Sequence, residues 1–246
     1  MTTADAAAQT CAGLAAAETA AAVAAPSPLA RTPAALPAIL PAVLRVALLG
    51  AESTGKSTLA EALAARHGSA WVPEYLREFV AHHGRVPLEH EQWPIARCQQ
   101  QREEQAARAL AARTDVPGGT ASAWLFCDTT PLMTALYSAH YFQRVDAPLA
   151  ALASTHSYAL TIVTPPDTPW VADGLQRESD DVRQMMHRRL LAMLAQRGIC
   201  YTLASGPLPQ RLATVAQALA LVLARECGSR QAHSDASSPG CHGAHG

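Results

Sequence analysis

The sequence lacks an excess of charge of either sign: 19 Lys and Arg stand against 20 Asp and Glu, and charged residues make up only 16% of the chain. A formal balance of −1 leaves no electrostatic footprint for nucleic acid or for an anionic membrane surface. Paired cysteines are missing too. Cys11, Cys98, Cys127, Cys200, Cys227 and Cys241 are scattered, with no CxxC pair and no zinc-like spacing. Cys98, Cys127 and Cys200 lie in segments with an apolar face, which reads as small core residues of a reduced, cytoplasmic protein. Apolar runs longer than a strand are absent between the two ends, so no transmembrane helix is predicted. The first 25 residues have no basic n-region and carry Asp5 and Glu18, which argues against a secretory signal. No internal repeat is visible.

What is present suits one α/β domain. The chain has 246 residues and is 49% hydrophobic, enough for a sizeable core. Residues 1–42 are rich in Ala and Pro and read as a disordered, PPII-like lead. Residues 228–246 are rich in Gly, Ser and His without an apolar period and read as a disordered tail. A weak metal site from His233, Cys241, His242 and His245 is the alternative there. Between them, 43–227 alternates strand and helix. Strands are predicted at 43–49, 69–72, 123–127, 158–163 and 199–203. Helices are predicted at 58–66, 88–113 (or from Pro94), 131–141, 180–196 and 209–225. The 43–49 run is apolar except for Arg45, as a strand covered on both faces requires. Repeated strand–helix units imply a parallel sheet with helices on both faces.

The first strand runs into Gly50-Ala51-Glu52-Ser53-Thr54-Gly55-Lys56-Ser57, a full GxxxxGK[ST] match in the context that motif needs, strand before and helix after. The chemistry explains the spacing. Gly50 and Gly55 let the backbone curl so that successive N–H groups from Ala51 to Thr58 converge on phosphate oxygens, and the helix N-terminus adds its positive end. Lys56 reaches the phosphates as a point charge, and the Ser57 hydroxyl ligates Mg²⁺. The predicted fold is therefore a P-loop NTPase with a sheet of about five parallel strands, binding ATP and Mg²⁺.

Two further segments carry candidate chemistry. Trp124-Leu125-Phe126-Cys127-Asp128 ends a buried strand in an acid, placing Asp128 beside the metal at the carboxyl edge of the sheet; a plain strand-end turn is the alternative. Pro73-Glu74-Tyr75-Leu76-Arg77-Glu78 follows the second strand. Glu74 there is the candidate base for an acceptor hydroxyl and Arg77 a candidate acceptor contact, against ordinary pairing on a solvated helix. After the fourth strand comes Pro169-Trp170-Val171-Ala172-Asp173-Gly174-Leu175-Gln176-Arg177, a candidate lid. Trp170 would stack on a flat ring, Asp173 would contact the acceptor or anchor the lid, and Arg177 and Arg183 would face the transferring group. Packing for Trp170, and pairing of the arginines with Glu178, Asp180 and Asp181, are the alternatives. The run from Gln99 to Glu103 reads as a polar helix face, and His82, His83, His90 and His140 as surface groups.

Together, the phosphate loop, the Glu74 segment, Phe126-Cys127-Asp128-Thr129-Thr130 and the Trp170 segment resemble the NadR-like, AAA-type P-loop family, which includes ribosylnicotinamide kinase domains. The likeness runs over about 44–225. It implies ATP- and Mg²⁺-dependent phosphorylation of the ribose 5′-hydroxyl of nicotinamide riboside, a step of NAD biosynthesis. It makes Trp170 a ring-stacking residue and Glu74, Arg77, Asp128 and Asp173 acceptor-side or metal-side residues. Family members also carry a nucleotidyltransferase domain and some a DNA-binding module, and the first 42 residues hold neither. The expected partner is a small-molecule acceptor, not nucleic acid or membrane. Another nucleoside or a polyol as acceptor, or a nucleotide-dependent switch with a protein partner, are the competing readings.

Overall fold

A computed structural model of the chain describes residues 43–114, 123–168 and 179–236. Five parallel strands form one sheet in the order β2-β3-β1-β4-β5: β1 Leu44–Leu49, β2 Ala70–Val72, β3 Trp124–Asp128, β4 Leu160–Val163 and β5 Thr202–Leu203. The helices are α1 Lys56–Arg66, α2 Tyr75–His83, α3 Gln92–Thr114, α4 Pro131–Tyr141, α5 Ala147–Ser154, α6 Asp180–Gln196 and α7 Leu208–Ala236, with a 3₁₀ turn Glu89–Glu91 ahead of α3.

Alternation along β1 shows why the strands read as apolar throughout. Leu44, Val46 and Leu48 pack with Trp124, Phe126 and Ile162 against α1 and α7, through Leu59, Leu63, Val215 and Leu219. Ala47 and Leu49 face the other way, onto Leu132, Met133 and Leu136 of α4 and Met186, Leu190 and Leu194 of α6. Leu125 and Cys127 meet Leu110 of α3 on that same second face. Both faces are covered, so no position on β1 can alternate to a polar residue except at its start. There Arg45 sits.

Chain order reverses across β1: β2 and β3 lie on one side of it, β4 and β5 on the other. The loops leaving the carboxyl ends of β1 and β3 therefore border one crevice, where ligands bind in such sheets.

Several local expectations need correcting. α2 and α5 are present where no helix was placed. α2 buries only Phe79, too thin a stripe to announce itself as a period, and α5 is eight residues long, with Asp146 at its N-cap position and Pro148 in its first turn. β5 has two residues, not five. The Ile199 N–H is spent closing α6 on the Leu194 carbonyl (2.9 Å), behind Gly198 at φ 63°, a left-handed helix end. Cys200 lies in that turn and is exposed, whereas Cys98 and Cys127 are buried as expected. Helix α7 continues to Ala236, beyond residue 225 and into the stretch read as a tail, because extending a formed helix costs far less than starting one. Residues 1–42 and 237–246 lie outside the described residues. Among the described residues, no helix is long and apolar enough to cross a membrane.

The largest surprise is on α3. Ile95, Cys98 and Leu110 are buried as the apolar stripe requires, but so are Gln92, Gln99 and Glu103. Of the polar run, Gln99 and Glu103 turn inward, while Gln100, Gln101 and Arg102 are half-buried.

Candidate active site

The phosphate loop is built by backbone geometry. Gly50 has φ +155°, and a Cβ there would stand 2.5 Å from Thr164 Oγ1 and 2.7 Å from the Thr164 carbonyl. No other residue fits under that contact with β4. Gly55 caps α1 at φ 80° without any side-chain cap, so the first amides of the helix remain turned to the loop. The loop is braced from inside: Thr54 Oγ1 donates to the Ala51 carbonyl (2.9 Å) and shares a hydrogen bond with Thr164 Oγ1 (2.7 Å). From below, the buried Arg211 of α7 donates to the Thr54 carbonyl and to Asp167, and its Nε to the Gly206 carbonyl at 2.7 Å.

Lys56 is buried, and its Nζ donates to the Ala51 carbonyl at 2.8 Å, arching back over the loop. The Ser57 hydroxyl donates to Asp128 Oδ2 at 2.5 Å. That contact joins the two elements placed beside a metal by sequence, across 71 residues. Asp128 is almost wholly buried, and burial pushes its carboxyl above the usual carboxylate range, with the Lys56 charge pulling the other way and Glu74 adding to the rise. Its other oxygen, Oδ1, is buried without a hydrogen-bond partner.

A cavity of about 680 Å³ opens beside the loop. Gly50, Glu52, Ser53 and Lys56 form one wall, and Glu74, Arg77 and Gln92 another. Glu74 stands at the N-terminus of α2 in extended backbone, with Arg77 Nε on its carboxylate at 3.0 Å. The rest of the lining is largely apolar: Met133, Tyr137, Tyr141 and Phe142 from α4 and its end, together with Val86 and Leu88. Tyr137 and Tyr141 lie nearly parallel, 11° between planes and 6.0 Å between centroids. Sequence reasoning missed this aromatic wall. The available signal was their spacing of four on a helix that directly follows Asp128.

Other candidates fall elsewhere. Trp170, Asp173 and Arg177 lie outside the described residues, as does the rest of 169–178. Arg183 does not face the cavity wall described above. It is buried, and its guanidinium donates to Asp180 Oδ1 (2.8 Å) and to the carbonyls of Thr168 (2.8 Å) and Pro166 (3.3 Å), fixing the chain that enters that segment. The contact with Asp180 is the pairing given above as the alternative for Arg183.

A phosphate loop after the central strand of a 2-3-1-4-5 parallel sheet, with an acid at the end of the adjoining strand, places this chain among the P-loop nucleotide-binding domains of the kinase-like type. More narrowly, residues 45–211 match the family model described as an AAA domain, and the chain belongs to that family. It is similar to the trifunctional NAD biosynthesis/regulator protein NadR of Escherichia coli (strain K12), 30% identical over 157 residues, which are 62% of this chain and 36% of that protein. The chain thus spans little more than a third of that relative's length. Among solved structures it resembles NadR protein in complex with NR, at TM-score 0.58 and 19% identity over 71% of this chain and 49% of that one. The likeness to NadR protein in complex with NAD and AMP-PNP is equal in TM-score, 0.58, at 20% identity over 71% and 48%. At such identities the structural likeness establishes the fold.

Proposed function

We propose that the chain is an ATP- and Mg²⁺-dependent kinase that phosphorylates the ribose 5′-hydroxyl of nicotinamide riboside, giving nicotinamide mononucleotide. One observation carries the reading: Lys56 of the phosphate loop and Glu74 line the same cavity, which Tyr137, Tyr141 and Phe142 also line. The similarity to NadR proteins supports the choice of acceptor.

The residues suit Mg²⁺. It takes oxygen ligands and keeps several waters and phosphate oxygens, so few protein groups are needed. Ser57 Oγ and the unpartnered Asp128 Oδ1 supply hard oxygens of the right kind. Among the described residues there is no cluster of three or more His, Cys, Asp or Glu for a softer metal. When bound, Mg²⁺ neutralises charge on the β- and γ-phosphate oxygens.

The protein's own groups do the rest. Lys56 exchanges the Ala51 carbonyl for phosphate oxygens, and the loop amides from Ala51 to Thr58 hold the chain of phosphates in line. Glu74 takes the proton of the attacking hydroxyl, with Arg77 fixing its orientation and contacting the acceptor. Tyr137 and Tyr141 offer a flat apolar surface for a heteroaromatic ring, a face that a polyol would leave unused. Trp170 and Asp173 on the acceptor side, and Arg177 at the transferring phosphoryl group, belong to the proposal through their motif alone.

The test is ADP release from Mg-ATP with and without nicotinamide riboside, alongside Lys56→Ala. Strong stimulation that the variant loses, with nicotinamide mononucleotide as product, is the expected result. Turnover indifferent to nicotinamide riboside would sink this acceptor.

A further inference from the structure

Glu103 is the odd residue of the fold. It is 0% exposed, lies on the inner face of α3 and forms no ion pair among the described residues. A carboxyl group buried in this way is costly unless hydrogen bonds satisfy it. Its surroundings show what it holds. Glu103 Oε2 accepts from the Tyr158 hydroxyl at 2.6 Å, and Oε1 accepts from Gln99 Nε2 at 3.3 Å. Gln99 is itself 3% exposed, and its Oε1 accepts from the Tyr75 N–H at 2.9 Å. Tyr75 is the first residue of α2, directly after Glu74. At the other end, the Ala159 N–H beside Tyr158 is bonded to the Arg45 carbonyl of β1 (2.9 Å).

Four hydrogen bonds thus link the central sheet, through Tyr158, Glu103 and Gln99, to the backbone that follows Glu74. Helix α2 needs such a tether. It buries only Phe79, so apolar packing does little to fix its position. A further tie also comes from α3: Arg102 holds Glu78 through both oxygens (2.6 and 2.9 Å) and covers the Tyr75 ring at 4.4 Å. That pair is partly open to solvent, whereas the Gln99–Glu103 bond is buried. A small void of about 20 Å³, walled by both Glu74 and Gln99, shows how close the link runs behind the acceptor carboxylate.

The direction of each bond matters. The Tyr75 N–H is an obligatory donor, so Gln99 must present its carbonyl oxygen to it. That leaves the amide NH₂ pointing at residue 103, which must accept. Leucine there would leave the NH₂ buried without a partner and free the amide to turn, setting donor against donor at Tyr75.

We infer that Glu103, through Gln99, is a positioning residue that holds the acceptor carboxylate Glu74 in register with the phosphate loop. The inference rests on the proposed role of Glu74. Neither residue touches the acceptor; they act through the first turn of α2.

The test uses the full chain with Mg-ATP and nicotinamide riboside, reading kcat, both KM values and hydrogen exchange of the Tyr75 amide. Glu103→Leu and Gln99→Leu should each lower kcat about tenfold, since small misplacements of a reacting group cost that much or more. The KM for ATP should stay unchanged and Tyr75 exchange should quicken. The double variant should fall no further than either single one, as groups acting as one unit do. Glu103→Gln keeps an acceptor for Gln99 and a donor for the Tyr158 oxygen, so its kcat should stay within about twofold of wild type. Wild-type kcat and wild-type Tyr75 protection in both leucine variants would overturn the inference, and so would equal losses in Glu103→Gln and Glu103→Leu. If the leucine variants do not fold, Gln99→Asn shortens the reach to Tyr75, and normal kcat there overturns it equally. Glu74→Gln, measured alongside, separates the two readings. Should it retain wild-type kcat, the base role fails, and Tyr75 exchange alone decides the tether.

Discussion

Changing Glu103 to Gln should flatten the pH dependence of stability between pH 5 and 8. In the folded chain, burial pushes the Glu103 carboxyl from its ordinary 4.5 up to about 7, against the opposing pull of hydrogen bonds from Tyr158 and Gln99 and of the Arg45 charge. The unfolded chain has no such environment, so its carboxyl titrates near 4.5. Between these two values the folded state binds more protons than the unfolded one, and stability therefore falls as pH rises. The favourable contribution is complete below 4.5 and lost as pH passes through about 7. At about 1.36 kcal/mol for each pH unit separating the two states, the loss is about 3 kcal/mol. For a chain of this size that is a shift of roughly 6–12 °C in Tm.

Gln cannot titrate, and every other ionisable group is shared by the two proteins, so their difference isolates Glu103. The assay is urea unfolding of wild type and Glu103→Gln at pH 5, 6, 7 and 8, at constant ionic strength. The expected result is a gap in unfolding free energy that widens in favour of the variant by about 3 kcal/mol across that range. Parallel curves would refute the reasoning, because they would mean that Glu103 is solvated or ion-paired in the folded chain.

Asp128→Asn should raise the Mg²⁺ concentration needed for half-maximal activity by roughly tenfold or more, while nucleotide-free stability holds or improves because a buried charge is gone. An unaltered Mg²⁺ titration would remove Asp128 from the metal side. Gly50→Ala should destabilise the chain by roughly 1–3 kcal/mol through backbone strain alone and weaken ATP binding further, since the new Cβ meets Thr164 at 2.5 Å. Wild-type Tm and ATP affinity would contradict the packing described for that turn.

The sequence made the phosphate loop legible because its constraints are local: a strand, two glycines with special backbone angles, a lysine and a helix start, all within a few residues. Asp128 was legible for a similar reason, as the acid that ends an apolar strand. Helices α4 and α6 match their expected bounds, 131–141 and 180–196, since Pro131 starts one at its first turn and Gly198 closes the other. Helix α2 was not, because a helix held mainly by polar ties to α3 shows no apolar stripe.

By itself, then, the sequence determined the nucleotide-binding chemistry, the parallel sheet covered on both faces and the order of the segments that border the crevice. Tertiary structure alone decided which distant groups meet. Ser57 comes to Asp128 because β1 and β3 are neighbours in register, Leu48 opposite Asp128. Tyr137 and Tyr141 line the same cavity as Glu74 because α2 and α4 follow β2 and β3, which are neighbours in the sheet. Glu103 is buried because α3 turns it toward Tyr158 and the start of β1. A run of Gln, Arg and Glu carries no local mark of being inside. The packing of α3 against the sheet takes water away from it, and the donors from Gln99 and Tyr158 help make that burial tolerable.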